Sequence, residues 1–434
     1  MIAEPPPRTA LEGARLIASG RLTSEQLVRS YLSRAKQREN DLRAWSHLAE
    51  LEAVAESRQR DRETPKGLLH GVPVGIKDLS DTADMPTGYG SAAYAGHRPP
   101  ADAACVALAR SAGAVILGKT STTEFGGSEP TPTRNPHNPA HTPGGSSSGS
   151  AAAVADGQVP LATGTQTGGS VIRPASFCGV VGFKPSFGSI SLYGTRSPSW
   201  SLDTLGLFAA DIDDVALFFA ALRGEQTLAE RPPPQHRPTV GVFLGPYADR
   251  AEPWAIEALE TVAELCSALG CRVANLTAPA GFDRSLDWQR TISRFETSRS
   301  LTFEWTTKRH SLGAPLKADI RQGLPIAFSE YEQAKTESSK LAAAVHERFT
   351  GYDLVLTLAA TGEAPLGLRS TGDAAFNRSW TLLGLPCLAL PAALGPHGLP
   401  LAVQAIGARH RDGELLAHAS WLQYMIRRQG LYPD

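Results

Sequence analysis

Short apolar runs alternate with longer amphipathic segments along most of the chain from residue 70 onward. The apolar runs predict β-strands at 72–76, 114–117, 239–244, 271–276, 354–358, 387–390 and 401–406. The amphipathic segments predict helices at 102–112, 148–156, 211–223, 253–269, 327–349 and 412–427. Strands and helices that alternate in this way indicate an α/β fold with a largely parallel or mixed sheet.

Two segments do not show this alternation, and their sequences predict helices only. Residues 8–60 form the first, in which Thr23 and Gln26 make a capping box that opens a helix running to about residue 37. Residues 280–350 form the second, and its helices either cover a binding site or form a peripheral layer. The proline-rich stretch at 231–238 is the best candidate for an internal boundary.

Charge and cysteine content exclude several classes of protein. The 42 Lys and Arg residues balance 43 Asp and Glu residues, so we expect no nucleic-acid partner. Five cysteines without a C-x-x-C pair indicate a reduced, cytoplasmic protein, and 11 histidines without H-E-x-x-H give no support to a zinc site. The N-terminus lacks the features of a signal peptide and no apolar run approaches about 18 residues, so we expect no membrane partner.

Two sequence motifs match known catalytic or nucleotide-binding patterns, but the residues around them do not fit the structure that each motif needs. Residues 113–120, GAVILGKT, fit the phosphate-loop pattern, but the middle residues are themselves a strand, which indicates a buried strand ending in an exposed Lys119. Residues 145–149, GSSSG, fit the nucleophile elbow of Ser-His-Asp hydrolases, which needs an apolar strand directly before it. The preceding residues 135–144 contain three prolines and cannot form a central strand.

A third constellation combines a lysine with serine- and glycine-rich turns. Lys77 follows an apolar strand, and desolvation there would lower the pKa of its amine enough for a fraction to be neutral at about pH 8. A neutral amine is a competent general base for a serine hydroxyl. Residues 143–200 are rich in Gly, Ser and Thr but also carry apolar groups, which indicates a packed segment rather than a linker. Within it, Ser170 follows two glycines whose bare backbone lets N–H groups approach a developing oxyanion.

Several ordered motifs in the chain resemble the amidase signature family of serine hydrolases. They are GVPVGIKD at 71–78, GKTSTTEF at 118–125, PGGSSSGSAAAVA at 143–155, GTQTGGSVIRPASFCGVVGFKP at 164–185, SLDTLG at 201–206, GLPCLALP at 384–391 and GLPLAVQAIG at 398–407. The resemblance covers most of residues 65–225 and 350–420. It implies the amidase signature fold, an α/β fold in which a central mixed β-sheet is flanked on both sides by α-helices.

The resemblance also implies how the chain is organised. We expect one amidase signature domain over residues 1–434, which begins with the helices of residues 1–60. The signature core would span 65–225 and be completed by 351–434. Residues 245–350 would form a variable, mostly helical substrate region.

The family pattern implies a Ser–Ser–Lys triad at three positions of this sequence. Ser170 would be the nucleophile, Ser146 the bridging serine that follows a cis peptide bond, and Lys77 the base that acts through Ser146. From the residues alone, two other readings stay open: Lys77 fits a surface ion pair, and the serines at 146–148 fit caps of the helix that begins near Ser148.

The same pattern implies an oxyanion hole built from the backbone N–H groups of Thr167, Gly168, Gly169 and Ser170. Ser147 would support the site with a nearby hydrogen bond. No metal or organic cofactor is implied.

Two positions near the nucleophile depart from the family pattern. Many members carry Asp four residues before the nucleophile and Arg two residues after it, where this chain has Gln166 and Ile172, with Arg173 one place later. If the acid and the base form a pair in other members, their joint loss leaves no unpaired charge. The roles of Gln166 and Arg173 are left open by the sequence.

The resemblance implies an amidase that hydrolyses a small-molecule carboxylic amide to the acid plus ammonia or amine through a Ser acyl-enzyme. One alternative is an A-type subunit of glutamyl-tRNA(Gln) amidotransferase, which releases ammonia from glutamine for partner subunits, although residues 291–313 lack the Tyr-Asp-Gly stretch of such subunits. Another is a non-catalytic binding protein on the same scaffold. A homodimer is possible under the main reading, and partner subunits enter only under the first alternative.

Substrate specificity is expected to come from the 280–350 helices and the loop at 362–373, with the run at 370–377 facing the site. Six aromatic side chains are candidate pocket walls, although at helical spacing they also fit a core. These are Trp288, Phe295, Phe303, Trp305, Phe376 and Trp380.

Overall fold

The computed structural model describes residues 7–230, 234 and 236–433. Its described strands are β1 (Trp45–Leu48), β2 (Pro73–Lys77), β3 (Val115–Thr120), β4 (Leu161–Gln166), β5 (Val181–Lys184), β6 (Thr204–Ala209), β7 (Thr239–Val242), β8 (Arg272–Asn275), β9 (Leu354–Leu358), β10 (Cys387–Leu394) and β11 (Pro400–Ile406). Its described helices are α1 (Ala10–Ala18), α2 (Ser24–Leu42), α3 (Glu50–Arg60), α4 (Ala104–Ser111), α5 (Ser148–Ala155), α6 (Ile172–Cys178), α7 (Ile212–Arg223), α8 (Pro253–Ala268), α9 (Ser285–Ser300), α10 (Thr302–Thr307), α11 (Ala314–Gly323), α12 (Phe328–Phe349), α13 (Ala375–Leu382) and α14 (Asp412–Arg428).

The strands form one mixed sheet in the order β1-β3-β2-β4-β6-β5-β10-β11-β9-β7-β8. Strand β2 runs parallel to both of its neighbours, β3 and β4, and β7 runs parallel to β8 and β9. The other pairs are antiparallel. Strands β2 to β6 are buried along their whole length, as expected for strands covered on both faces.

Successive side chains of the central strands enter two different hydrophobic cores, because neighbouring residues of a strand point to opposite faces. In β3, Ile116 lies in one core with side chains of α7, α8 and α14. Val115 and Leu117 lie in a second core with side chains of α2, α5 and α6. Helices therefore cover both faces of the sheet, and the implied α/β architecture is confirmed.

All seven predicted strands and all six predicted helices are present. The strand at 354–358 matches β9 at both ends and the others differ at one or both ends, but the sequence reading missed β1, β4, β5 and β6. Strand β4 has the sequence LATGTQ and β6 has TLGLFA, so Gly and Thr interrupt the apolar run. Strands β1 and β5 have only four residues each, which is too short for a clear alternation. Their identity as strands is decided by pairing with neighbours.

The N-terminal region is helical except at one point. The capping box is confirmed: Gln26 N donates to Thr23 Oγ1 at 3.1 Å and Thr23 N donates to Gln26 Oε1 at 2.9 Å. The prediction that residues 8–60 are helical throughout is wrong at β1, which pairs antiparallel with β3 at the sheet edge. Trp45 is buried there, and its Nε1 donates to Gln158 Oε1 at 2.6 Å.

Half of the candidate boundary at 231–238, residues 231–233 and 235, lies outside the described residues. The single-domain organisation over 1–434 stays a prediction. Among the described residues, a search of the helices finds none with the length and apolar character needed to cross a membrane.

Candidate active site

The predicted site residues gather at the carboxyl ends of three neighbouring strands, β2, β3 and β4. Because β2 is parallel to both β3 and β4, all three end at the same edge of the sheet. Lys77 is the last residue of β2, and residues 167–170 follow β4 directly. Ligands of α/β proteins bind at this edge of the sheet.

Lys77 is fully buried, and its amine contacts two hydroxyl groups. Nζ donates to Ser146 Oγ at 2.8 Å and to Thr165 Oγ1 at 2.7 Å, while the backbone N–H of Lys77 donates to Thr163 Oγ1 at 2.9 Å. Burial lowers the pKa of Lys77 from its ordinary 10.5 to about 7, and the nearby charge of Asp203 opposes this shift only in part. The amine is therefore neutral in a large fraction of molecules near neutral pH, and the surface ion pair considered for Lys77 is wrong.

The turn before α5 holds Ser146 against Lys77. The peptide bond between Gly145 and Ser146 is cis, as the resemblance implied. Gly144 has a φ of 82°, and a Cβ there would lie 2.9 Å from the Cα of Pro174, so both its conformation and its surroundings require glycine. Ser146 is buried within this packed turn.

The serines of this turn contribute little to capping α5. Ser147 occupies the N-cap position but its side chain makes no capping hydrogen bond. Its Oγ instead accepts from Thr165 N at 3.4 Å, and Ser148 Oγ donates to the Gly144 carbonyl at 2.8 Å. The structure thus places Ser147 beside the strand that carries Thr165, near the position expected for a supporting group.

In the segment from Thr167 to Ser170, the first three carbonyl groups accept hydrogen bonds from neighbouring residues. Gln289 Nε2 donates to Thr167 O at 2.9 Å and Thr381 Oγ1 donates to Gly168 O at 2.9 Å, while Gly169 O accepts from the N–H of Arg173 at 3.0 Å. In the described chain, none of the four N–H groups of residues 167–170 donates a hydrogen bond to another residue. These four residues line a cavity of about 220 Å³.

Gln166, at the position where many family members carry Asp, caps the helix that follows residues 167–170. Its Oε1 accepts from the N–H groups of Val171 and Ile172 at 2.9 and 3.1 Å, and its Nε2 donates to Thr381 Oγ1 at 3.0 Å. A neutral amide therefore supplies the acceptor that the first turn of α6 requires.

Arg173 is buried behind the same turn. Its Nη2 donates to the carbonyl of Gly145 at 2.5 Å, and its Nη1 donates to the carbonyl of Gly372 at 2.8 Å. Burial, and then the charge of Arg378, lower the pKa of Arg173 to about 9. Arg173 thus ties the Gly145 carbonyl of the cis turn to the 371–372 loop.

Helices α9 and α11 form part of the cavity wall, so the 280–350 region covers the site rather than forming a purely peripheral layer. The 370–377 run also faces the cavity, through Thr371, Gly372 and Ala374. The aromatic pocket walls considered from the sequence are wrong: among the described residues that line the cavity, none of the six candidates appears. Five of them are buried or partly buried in hydrophobic cores, namely Trp288, Phe295, Trp305, Phe376 and Trp380.

Two other buried lysines, Lys119 and Lys184, have their amines bound by groups outside the site. Lys119 is fully buried, not exposed as predicted, because its Nζ donates to Ser80 O and Thr87 Oγ1 at 2.8 and 2.6 Å and pairs with Asp78 at 3.2 Å. Lys184 donates to main-chain carbonyls of residues 185 and 385 at 3.0 and 2.6 Å. Neither lysine contacts the serines of the site.

Sequence reasoning missed several residues of the site, among them Thr165, Asp203 and Arg378. Thr165 is the second partner of Lys77, and Asp203 accepts from the hydroxyl of Thr167 and from Ser199 N at 2.9 Å. Arg378 lines the cavity from α13. Thr165 and Asp203 lie inside the family motifs at 164–185 and 201–206, so the motifs could have identified them. Arg378 lies outside every quoted motif, and no sequence pattern pointed to it.

One group of side chains in the described part of the chain has the geometry to hold a metal ion. The ligand atoms of His236, Asp353 and His418 lie within 4.8 Å of one another. None of these three residues lines the cavity that contains Ser170. The site around Lys77 and Ser170 offers hydroxyl, amine and amide groups rather than a metal-ligand set.

Comparison with known proteins shows the family of the chain. The family model described as Amidase matches residues 26–416. The A-type subunit of the chloroplastic/mitochondrial glutamyl-tRNA(Gln) amidotransferase from Sorghum bicolor is 30% identical over 92% of this chain and 86% of its own length. The corresponding protein of Arabidopsis thaliana is 29% identical over 100% of this chain and 92% of its own length.

Solved structures point in the same direction. A crystal structure of an amidase superimposes with a TM-score of 0.88 at 30% identity, covering 96% of this chain and 99% of that one. The native peptide amidase from Stenotrophomonas maltophilia superimposes with a TM-score of 0.81 at 26% identity, covering 96% and 97% of the two chains. We conclude that the chain belongs to the Amidase family of amidase signature enzymes and is a hydrolase of C–N amide bonds.

Proposed function

We propose that the protein hydrolyses a carboxylic amide through an acyl-enzyme on Ser170, with Ser146 as the relay and Lys77 as the base. The observation that carries this proposal is the hydrogen bond of 2.8 Å from the buried amine of Lys77 to Ser146 Oγ. A buried amine whose pKa is lowered to about 7 accepts a proton at neutral pH, which an exposed lysine does not do efficiently.

In the first half of the reaction, the Oγ of Ser170 attacks the amide carbonyl while its proton passes to Ser146 Oγ. Ser146 gives its own proton to Nζ of Lys77. The four N–H groups of residues 167–170, which have no partner in the described chain, would hold the oxyanion. The C–N bond then breaks, and the proton returns through Ser146 to the departing ammonia or amine.

In the second half, water attacks the acyl-enzyme and passes its proton along the same route. The C–O bond to Ser170 breaks, and Ser170 regains a proton as the carboxylic acid leaves. Ser147 supports this arrangement through its contact with Thr165, the residue that also accepts from Lys77.

A second candidate function is that of a glutamine-hydrolysing amidotransferase subunit. It is favoured by the relatives from Sorghum bicolor and Arabidopsis thaliana, which carry that name and match nearly the whole chain. Under this function the protein would co-purify with partner subunits, and its glutaminase activity would depend on them. Under the main proposal it hydrolyses a small amide alone, as a monomer or homodimer. A cytoplasmic location stays a prediction.

The proposal is tested by intact-mass spectrometry after treatment with a fluorophosphonate or phenylmethanesulfonyl fluoride. We expect one adduct on the wild type and on Ser293→Ala, since Ser293 lines the same cavity but has no assigned role. We expect no adduct on Ser170→Ala, together with loss of amide hydrolysis and an unchanged melting temperature. An adduct that persists on a folded Ser170→Ala would refute Ser170 as the nucleophile.

A further inference from the structure

The cavity beside Ser170 is lined by an excess of positive charge. Arg173, Arg290, Arg294 and Arg378 line it, against one acidic residue, Asp319. These arginines come from three helices, α6, α9 and α13, so their convergence is a property of the tertiary structure. Guanidinium groups match carboxylates in charge and in the spacing of their donors.

The positive charges in the cavity are poorly compensated. In the described chain, no carboxylate lies within 4.0 Å of Arg173 or Arg378. The side chain of Arg294 approaches Asp319 only to 3.8 Å, which is longer than a hydrogen bond. Arg290 approaches Asp287 to 3.7 Å, and that carboxylate does not line the cavity.

Two further observations show that these buried charges lack stabilising partners. Burial lowers the pKa of Arg378, and the charges of Arg290 and Arg294 lower it further, although Asp373 and Asp319 oppose them. The Nε atom of Arg173 is buried and has no hydrogen-bond partner. Buried charges that lack partners are costly, and an anion in the cavity would relieve that cost.

The arginines also line the same cavity as Ser170. A Cβ built on Gly168 would be 3.3 Å from Nη1 of Arg378, so this guanidinium adjoins the segment that presents the N–H groups. The cavity volume of about 220 Å³ is below the roughly 300 Å³ at which pockets for larger ligands begin. This small volume favours a short ligand between Ser170 and the arginines.

We propose that the substrate is a short amide that carries a free carboxylate and no ammonium group, such as the half-amide of a small dicarboxylic acid, bound by Arg290, Arg294 and Arg378. This inference rests on the proposed function. The side chain of Gln289 bridges Nη1 of Arg378 at 2.7 Å and the carbonyl of Thr167 at 2.9 Å, so carboxylate binding is coupled to the position of the oxyanion segment. Four arginines against one aspartate disfavour the ammonium group of glutamine.

The test compares three amides that differ by one charged group: glutaramate, pentanamide, which lacks the carboxylate, and L-glutamine, which adds the ammonium. We expect kcat/KM for glutaramate, or for its shorter homologues succinamate and malonamate, to exceed that for pentanamide and for glutamine by about 100-fold or more. Equal values for the anionic and the neutral amides, or a preference for glutamine, would overturn the inference and leave the proposed function standing.

Substitutions of the arginines test whether the preference for an anionic amide arises in the cavity. We expect Arg290→Gln and Arg378→Lys each to reduce the ratio of kcat/KM for the anionic amide over pentanamide by about 10- to 100-fold. The matched control is Arg321→Gln, since Arg321 is exposed on α11 and does not line the cavity. Labelling by the fluorophosphonate and the melting temperature report whether each variant keeps a folded site, and an unchanged ratio in both folded arginine variants would contradict the assignment.

A binding measurement separates the two proposals. Calorimetric titration of Ser170→Ala with the anionic amide should show binding that pentanamide does not show and that Arg290→Gln weakens. Selective binding without turnover in the wild type would support the carboxylate site and count against the proposed hydrolysis. Turnover of neutral amides without selective binding would support the proposed hydrolysis and count against the carboxylate site.

Discussion

Replacing Lys77 by Met tests the central physical claim, that a buried lysine is held neutral by the fold. Met has a similar length and no charge, so the substitution removes the titration and largely keeps the packing. It also removes the hydrogen bonds of Nζ to Ser146 and Thr165, at a cost that does not vary with pH. The pH dependence of the difference between the two proteins therefore isolates the amine.

The magnitude follows from the two pKa values of Lys77. Its lowering from 10.5 to about 7 corresponds to about 5 kcal/mol between the protonation states, with no discount for solvent because the side chain is fully buried. Below pH of about 7 the lysine is protonated in both the folded and the unfolded chain, and the whole cost falls on the folded state. Above pH of about 10.5 it is neutral in both, and the cost disappears.

Between these limits the free energy of unfolding of the wild type rises relative to Lys77→Met. From pH of about 7 to about 10 the relative gain is about 3.5 kcal/mol. For a chain of 434 residues this corresponds to a shift of about 4 °C in the difference between the two melting temperatures. Other groups that titrate in this range contribute equally to both proteins and cancel in the difference.

Differential scanning calorimetry of both proteins at several pH values between about 7 and 10 measures this shift. The wild type should also show an activity limb, with kcat/KM falling about tenfold per pH unit below about 7 as the base becomes protonated. A melting-temperature difference that stays constant across this pH range would show that Lys77 has an ordinary pKa, and the argument for a neutral base would fail.

Three further predictions concern the surroundings of the triad. Gly169→Ala should lower the melting temperature and reduce kcat by about tenfold or more, because its Cβ would lie 2.4 Å from Asn377 Oδ1. The matched Gly168→Ala should lose less of both, because its Cβ would lie 3.3 Å from the side chain of Arg378. Gln166→Ala should cost about 1–3 kcal/mol in denaturant unfolding because it orphans two buried N–H groups of α6; a loss below about 0.5 kcal/mol would mean that water replaces the cap. Amide hydrolysis should survive dialysis against EDTA, and loss that added metal restores would contradict a mechanism run by the triad alone.

Local patterns in the sequence were sufficient to predict strands with continuous apolar runs, helix starts with a capping box, and the family. Continuous apolar runs identified strands such as β9, and the spacing of Thr23 and Gln26 placed the start of α2, because strand periodicity and helix capping depend on residues that are near in sequence. The ordered motifs identified the family and the candidate positions of Lys77, Ser146 and Ser170. They did so because the backbone geometry around the turns restricts which residues fit there.

Other features were decided only by the tertiary structure. Strand β4 contains Gly, Thr and Gln and becomes a central strand through its pairing with β2 and β6. Lys119 and Lys77 both follow apolar runs, yet one lies beside Asp78 and the other beside two hydroxyls, because sheet order determines which loops meet each strand end.

What the sequence determined by itself was the α/β class, the family and the candidate triad. The tertiary structure decided the environment of those residues: Lys77 contacts groups 69 and 88 positions away, and the arginines of the cavity come from three separate helices. The physical reason is that a pKa or a binding preference depends on burial and on neighbouring charge. Both are set by packing between distant segments, which no local pattern records.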